Sequence, residues 1–136
     1  MMDITQIAPA FDPSTHRLAS TYVDTLDPDH DRIVRVYDIA PLTADEIADA
    51  KAEIVAKVET TASTLLAAID AKSVRPLRAS IAGTATADDT GKLTTLEAVA
   101  TAARAYRAAV IASIAAASDL KAARAIDIAG GWPTLP

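Results

Sequence analysis

The 136-residue sequence predicts an α+β, mainly α fold: a short N-terminal β-hairpin, then an antiparallel hairpin of two long Ala-rich helices and short C-terminal helices. Three observations carry that expectation. Residues 32–39, "RIVRVYDI", alternate with a period of two and are rich in β-branched side chains. From residue 43 onward the apolar spacing changes to a helical period. Alanine, the strongest helix former, makes up roughly a quarter of the chain, whereas Phe, Trp and Tyr together make 4%.

Residues 1–41 read as an acidic, β-rich region and residues 42–136 as a helical one. Pro9 and Pro13 break the first fourteen residues into an extended arm with room for a short strand at Ile4–Ala8. His16–Val23 and Arg32–Ile39 read as strands, joined by the polar "DTLDPDHD" as a hairpin connection. Within the second strand, Ile33, Arg35, Tyr37 and Ile39 share one face and Arg32, Val34, Val36 and Asp38 the other. A lone hairpin is marginal in water, so it must pair with the arm, pack on a helix or add to a sheet in another chain.

Pro41 ends the second strand because it has no N–H for a ladder. Thr43-Ala44-Asp45-Glu46 then has the form of a capping box opening a helix over residues 43–73. Its apolar stripe is Ile47, Ile54, Val58, Ala62, Leu65 and Ile69. Pro76 either kinks this helix or starts a short one over 76–82, and Gly83 ends the segment. A second long helix over 90–117 places Leu93, Leu96, Ala100, Ala103, Val110, Ile114 and Ala117 close to a heptad seam. Ser118 caps a last short helix over 119–129, which Gly130, Gly131 and Pro133 stop.

The charge is unevenly placed. Residues 1–45 hold eight acids against three arginines and carry the whole net charge of −5. Phosphate binding needs clustered Lys and Arg, so nucleic acid is not expected as a partner. Arg75, Arg78, Arg104 and Arg107 read as solvated or salt-bridged helix residues rather than a binding stripe. Cysteine is absent, which removes disulfides, thiolate metal sites and a cysteine nucleophile. Met1–Ala10 lacks the basic and apolar segments of a signal peptide, so synthesis in a cytoplasm is expected. Ala108–Ala117, the most apolar stretch, is about half a bilayer span, so no membrane partner is expected.

No catalytic constellation is legible, and neither a cofactor nor a metal is expected. Asp27, Asp29 and Asp31 resemble the start of a calcium loop, but Arg32 and Asp38 stand where Gly and a bidentate Glu are needed. Gly91-Lys92 lacks the upstream Gly, the following Ser or Thr and the preceding strand of a phosphate loop. His16 and His30 lie in the polar N-terminal region without zinc-type spacing. A small metal-dependent enzyme built on Asp27–Asp31 is therefore only a remote alternative.

A modest core favours self-association, for which Leu65, Ile69, Val110 and Ile114 on the helices are candidates. Val34 and Val36 are candidates for docking a partner through a strand edge. Trp132, in "GGWPTLP", is either an exposed anchor for a partner or a cover for its own core.

Taken together, the strand ending in an aromatic residue before "PLTADEI" (Pro41–Ile47), the Ala-rich helix, "SVRPLRASIAG", "ARAYRAAVIASIAAASDLKAARAIDI" and the closing "GGWPTLP" resemble small tail-fibre-associated and tail-fibre-assembly proteins of tailed bacteriophages and prophages. The resemblance covers most of residues 32–136. It implies no catalysis. It implies a structural protein of the virion tail, attached to a tail fibre or baseplate, or an assembly chaperone that binds the fibre and leaves. Either would be made in the host cytoplasm, and the first would reside in the virion.

Overall fold

The structure, a computed structural model, describes residues 2–136 and has the expected α+β, mainly α architecture. Three strands, β1 (Asp3–Ile7), β2 (His16–Asp27) and β3 (Arg32–Pro41), precede α1 (Ala44–Ile81), α2 (Ala87–Ala116) and α3 (Leu120–Arg124).

The sheet has the order β1-β3-β2. β3 is antiparallel to β2 through the hairpin and parallel to β1, which pairs Ile4 with Ile33 and Ile7 with Val36. The arm therefore completes a three-stranded sheet. β2 runs to Asp27 because Asp24, Thr25 and Leu26 pair with Arg35, Val34 and Ile33, so the expected connection shrinks to the turn around Asp29. Asp31 closes that turn at φ +47°, a left-handed conformation that Asp tolerates better than most residues. Between Leu18 and Tyr22 β2 is irregular: four residues advance there against the two from Ile39 to Tyr37 on β3.

α1 begins where Thr43 accepts a hydrogen bond from the Glu46 N–H at 3.2 Å. The reciprocal half of the expected capping box is missing, because the Glu46 carboxylate accepts from Arg17 Nε at 2.8 Å. A complete box opens α2 instead, with Thr86 and Asp89 exchanging backbone and side-chain bonds, so α2 starts at Ala87 rather than near residue 90. α1 does not stop before Pro76; it runs on to Ile81 with Pro76 buried inside it. A separate helix over 76–82 is thus replaced by one helix about 57 Å long. The last helix is capped by Asp119, not Ser118, and ends at Arg124.

The core lies entirely in the helical unit. Val58, Val110, Ile114, Leu120 and Ala123 form one cluster near α3, and Ile69, Leu96 and Ala100 form another toward the turn between the long helices. Buried Ala62 and Ala103 occupy the seam between these clusters, where their small side chains let the helices come close. The segment after α3 folds back along the hairpin. Trp132 packs on the first cluster and Leu135 on the second, and Lys72 Nζ donates to an oxygen of Pro136 at 2.7 Å. Lys51 Nζ reaches from α1 to the Ala117 carbonyl at 2.7 Å, placing a cation at the otherwise uncharged C-terminal end of α2.

Candidate interaction surface

Among the described residues no strand packs against any helix, and no residue of the sheet is buried. The sheet stands off the helical unit on a short neck. The Leu42 N–H donates to the Thr15 carbonyl at 2.9 Å. Arg17 holds Glu46 at 2.8 Å, and Arg124 donates to the Pro13 carbonyl and to Ser14 Oγ at 3.3 Å. Leu42 itself packs on the helical core.

The pairing register fixes what each face carries. One face bears Ile4, Ile33 and Leu26 in a row near the hairpin tip, then Gln6, Arg35 and Asp24, then Tyr37 beside Tyr22, then Ile39 beside Leu18 near the neck. We call this the aromatic face. The other, the valine face, carries Ile7, Val36 and Val23, with Thr5, Val34 and Thr25 in the next row and Asp3, Arg32 and Asp27 at the tip.

The aromatic face is apolar and internally neutral. Leu26 is 55% exposed, Ile4 51% and Tyr22 45%, while Tyr22 and Tyr37 meet edge to face at 5.6 Å. Its only charges near the middle cancel. Arg35 binds both Asp24 carboxylate oxygens at 2.9 Å and lies 3.8 Å over the Tyr22 ring. This hydrogen bonding holds the Asp24 carboxyl below its usual range and raises Arg35, against an opposing push from desolvation. Tyr, Arg and large aliphatic side chains around a paired charge are the composition of an interface centre. Both edges of the sheet, β1 and β2, are also free of Pro and unpaired.

The expected interaction residues fall differently. Val34 and Val36 lie on the central strand, with β1 on one side and β2 on the other, so they offer no strand edge. Ile69, Val110 and Ile114 are buried at 3%, 6% and 0% exposure inside the chain's own core, and Leu65 packs beside Ile69. An antiparallel hairpin closed by a returning tail turns Ile69, Val110 and Ile114 inward and leaves Leu65 half-buried. Trp132 covers its own core. Its ring meets Tyr106 edge to face at 4.9 Å, and its indole N–H donates to the Ile128 carbonyl at 3.0 Å.

The aromatic face was missed as a site although half of it was legible, since Ile33, Arg35, Tyr37 and Ile39 alternate onto one side. What the sequence could not show is that no helix covers them. A smaller apolar stripe on the last turns of α1, Val74, Leu77 and Ile81, is likewise exposed.

The other candidates do not converge. Asp27 accepts from Arg32 at 2.9 Å and lies 3.0 Å from the His30 ring, which lowers its carboxyl. Among the described residues no three His, Cys, Asp or Glu side chains are grouped to hold a metal. Gly91 and Lys92 lie inside α2, not before it, and Lys92 pairs with Asp88 at 2.8 Å. An open groove of about 790 Å³ there is lined by Lys72, Arg75 and Asp89, but Lys72 is bound to Pro136 and Asp89 caps α2. Arg107 grips Glu59, with one bond of 2.6 Å, and Arg104 lies 3.6 Å from Glu97, so these two arginines are salt-bridged. α2 is long and apolar enough by composition to cross a bilayer, yet its apolar seam packs on α1 and α3.

Comparison with protein-family models, curated proteins and solved structures finds no match to this chain.

Proposed function

We propose that the protein is a non-enzymatic structural component of a tailed-phage virion, attached to the tail fibre or baseplate and working through contacts made by its sheet. One observation supports the contact-dependent part of this reading above all others: a folded three-stranded sheet with apolar side chains on both faces and none of them buried. Strands buried on both faces read in this way, and a sheet of this size gains little stability without a cover. The helical unit, with its own closed core, then serves as the rigid body that presents the sheet.

The phage assignment rests on the resemblance carried by Pro41–Ile47 and by the C-terminal half of the chain. The open edges of β1 and β2 favour one second reading, a fibre-assembly chaperone that pairs with unfinished strands of the fibre and then departs.

Quantitative mass spectrometry of washed phage particles, and of newly made fibre isolated from lysates, tests both readings. A fixed ratio to the fibre protein in particles is the result expected for a virion component. Presence on new fibre with absence from particles would assign the chaperone role, and absence from both would overturn the phage reading.

A further inference from the structure

We infer that the aromatic face is covered by the same face of a second copy of this chain, the two sheets packing face to face about a twofold axis. The inference rests on the reading of the sheet as an interaction surface and names its occupant.

Three features single out a second copy. The face is electrically balanced, since Arg35 is neutralised by Asp24 within the chain. A copy of itself therefore brings no unpaired charge against it, whereas the face has no net field with which to recruit a basic or acidic partner. The second feature is area. Five of its large side chains are at least about one-third exposed. Mutual covering would remove on the order of 1,000 Å² from water over the two copies, the size at which a specific interface begins. The third is layer geometry. Sheets pack about 10 Å apart with interdigitating side chains, and two three-stranded sheets would make a six-stranded sandwich from two sheets that are each coreless alone. The tyrosines lie midway along the ladder, so a twofold axis between the sheets and across the strands there would set the Ile4, Ile33 and Leu26 row of one copy against the Leu18 and Ile39 row of the other.

Light scattering coupled to size exclusion, run on the full chain from low to high micromolar concentration, is the first test. The expected result is a particle of twice the 14.1 kDa chain mass. Leu26→Asp should reduce it to a monomer at concentrations where the parent is fully associated, while Val23→Asp, on the opposite face, should leave it intact. A folded chain that stays monomeric throughout, a trimer, or a dimer lost in Val23→Asp and kept in Leu26→Asp would overturn the inference.

Should Leu26→Asp unfold the sheet, single-thiol cross-linking supplies a second measurement, because the natural chain has no cysteine. Tyr22→Cys, beside the axis, should be joined between copies by a short bismaleimide and Val23→Cys, on the opposite face, should not; the reverse pattern contradicts the arrangement. A monomeric chain that is nevertheless retained in particles would remove the second copy and leave the proposed function standing. A dimer absent from both particles and fibres would do the opposite.

Discussion

Arg35 and Asp24, opposite each other on β3 and β2, form a two-pronged ion pair with both bonds at 2.9 Å, and the guanidinium carbon lies 3.8 Å from the centre of the Tyr22 ring. The pair sits, beside Gln6, in the middle of a mainly apolar face. Its geometry allows a charge to enter an interface without being left unpaired.

Replacing Arg35 by Lys should therefore not be conservative. Lysine keeps the charge but loses the planar fork and the stack on Tyr22. Association of the chain should weaken by roughly tenfold or more, as at an interface hot spot, with helical circular dichroism unchanged. Equal association of the two proteins in sedimentation equilibrium would mean that the fork has no part in the contact.

Acid should destabilise the protein through five carboxylates. Arg35 holds Asp24 low, Arg32 and then His30 hold Asp27 low, and Arg107 does so for Glu59. Backbone N–H groups do the same for Asp89, from Thr86, and for Asp127, from Gly130 and Ala129. Because the folded values lie below the ordinary 3.8 for Asp and 4.5 for Glu, the unfolded chain takes up protons first as pH falls. Their stabilisation is complete above those ordinary values and is lost as pH drops through the lowered ones. Melting temperature should be insensitive to these groups from pH 7 to about 5 and fall as pH drops below about 4; a rise there would contradict the sign.

Gly131→Ala should loosen the C-terminal strap. Gly131 has φ +80°, and an added Cβ would stand 2.5 Å from Tyr106 Oη, which itself donates to the Gly130 carbonyl. Strain of this kind costs about 1–3 kcal/mol. Urea titration should show that loss together with a red-shifted Trp132 emission, because Trp132 is held against Tyr106. Unchanged emission and midpoint would mean that the strap is not fixed by this contact.

Ile114→Ala should be costly and Ile81→Ala nearly silent. Ile114 is fully buried between the helices, whereas Ile81 is 80% exposed at the end of α1. Truncation in the core costs about 2–5 kcal/mol, and at such a surface position within about 0.5. Comparable losses in denaturant melts of both variants would place Ile81 under a cover.

How far the sequence went depends on whether the deciding partner was local. The strand–turn–helix change at Pro41–Glu46 was legible because Thr43 and its target lie three residues apart. The fate of Glu46 was not, since Arg17, which captures it, lies 29 residues earlier. β1 was visible as a short alternating segment, but its parallel place beyond β3 depends on the chain crossing the end of the sheet. Pro76 left two outcomes open. The helix continues through Pro76, and burial of that ring offsets the missing hydrogen bond. The spacing of the helical apolar stripe marks it for burial, but not that the other long helix and the returning tail of the same chain cover most of it. The exposed sheet is the counterpart, since amphipathic alternation marks a face for burial without saying by what.

Hydrogen–deuterium exchange followed across a dilution series tests most directly whether the sheet depends on a cover. At concentrations where the chain is associated, amides of β1, β2 and β3 should be protected, and on dilution they should exchange far faster while those of α1 and α2 stay protected by their own core. Sheet amides that remain as protected as the helices in a demonstrably monomeric chain would contradict the account, because the sheet would then be stable without any partner.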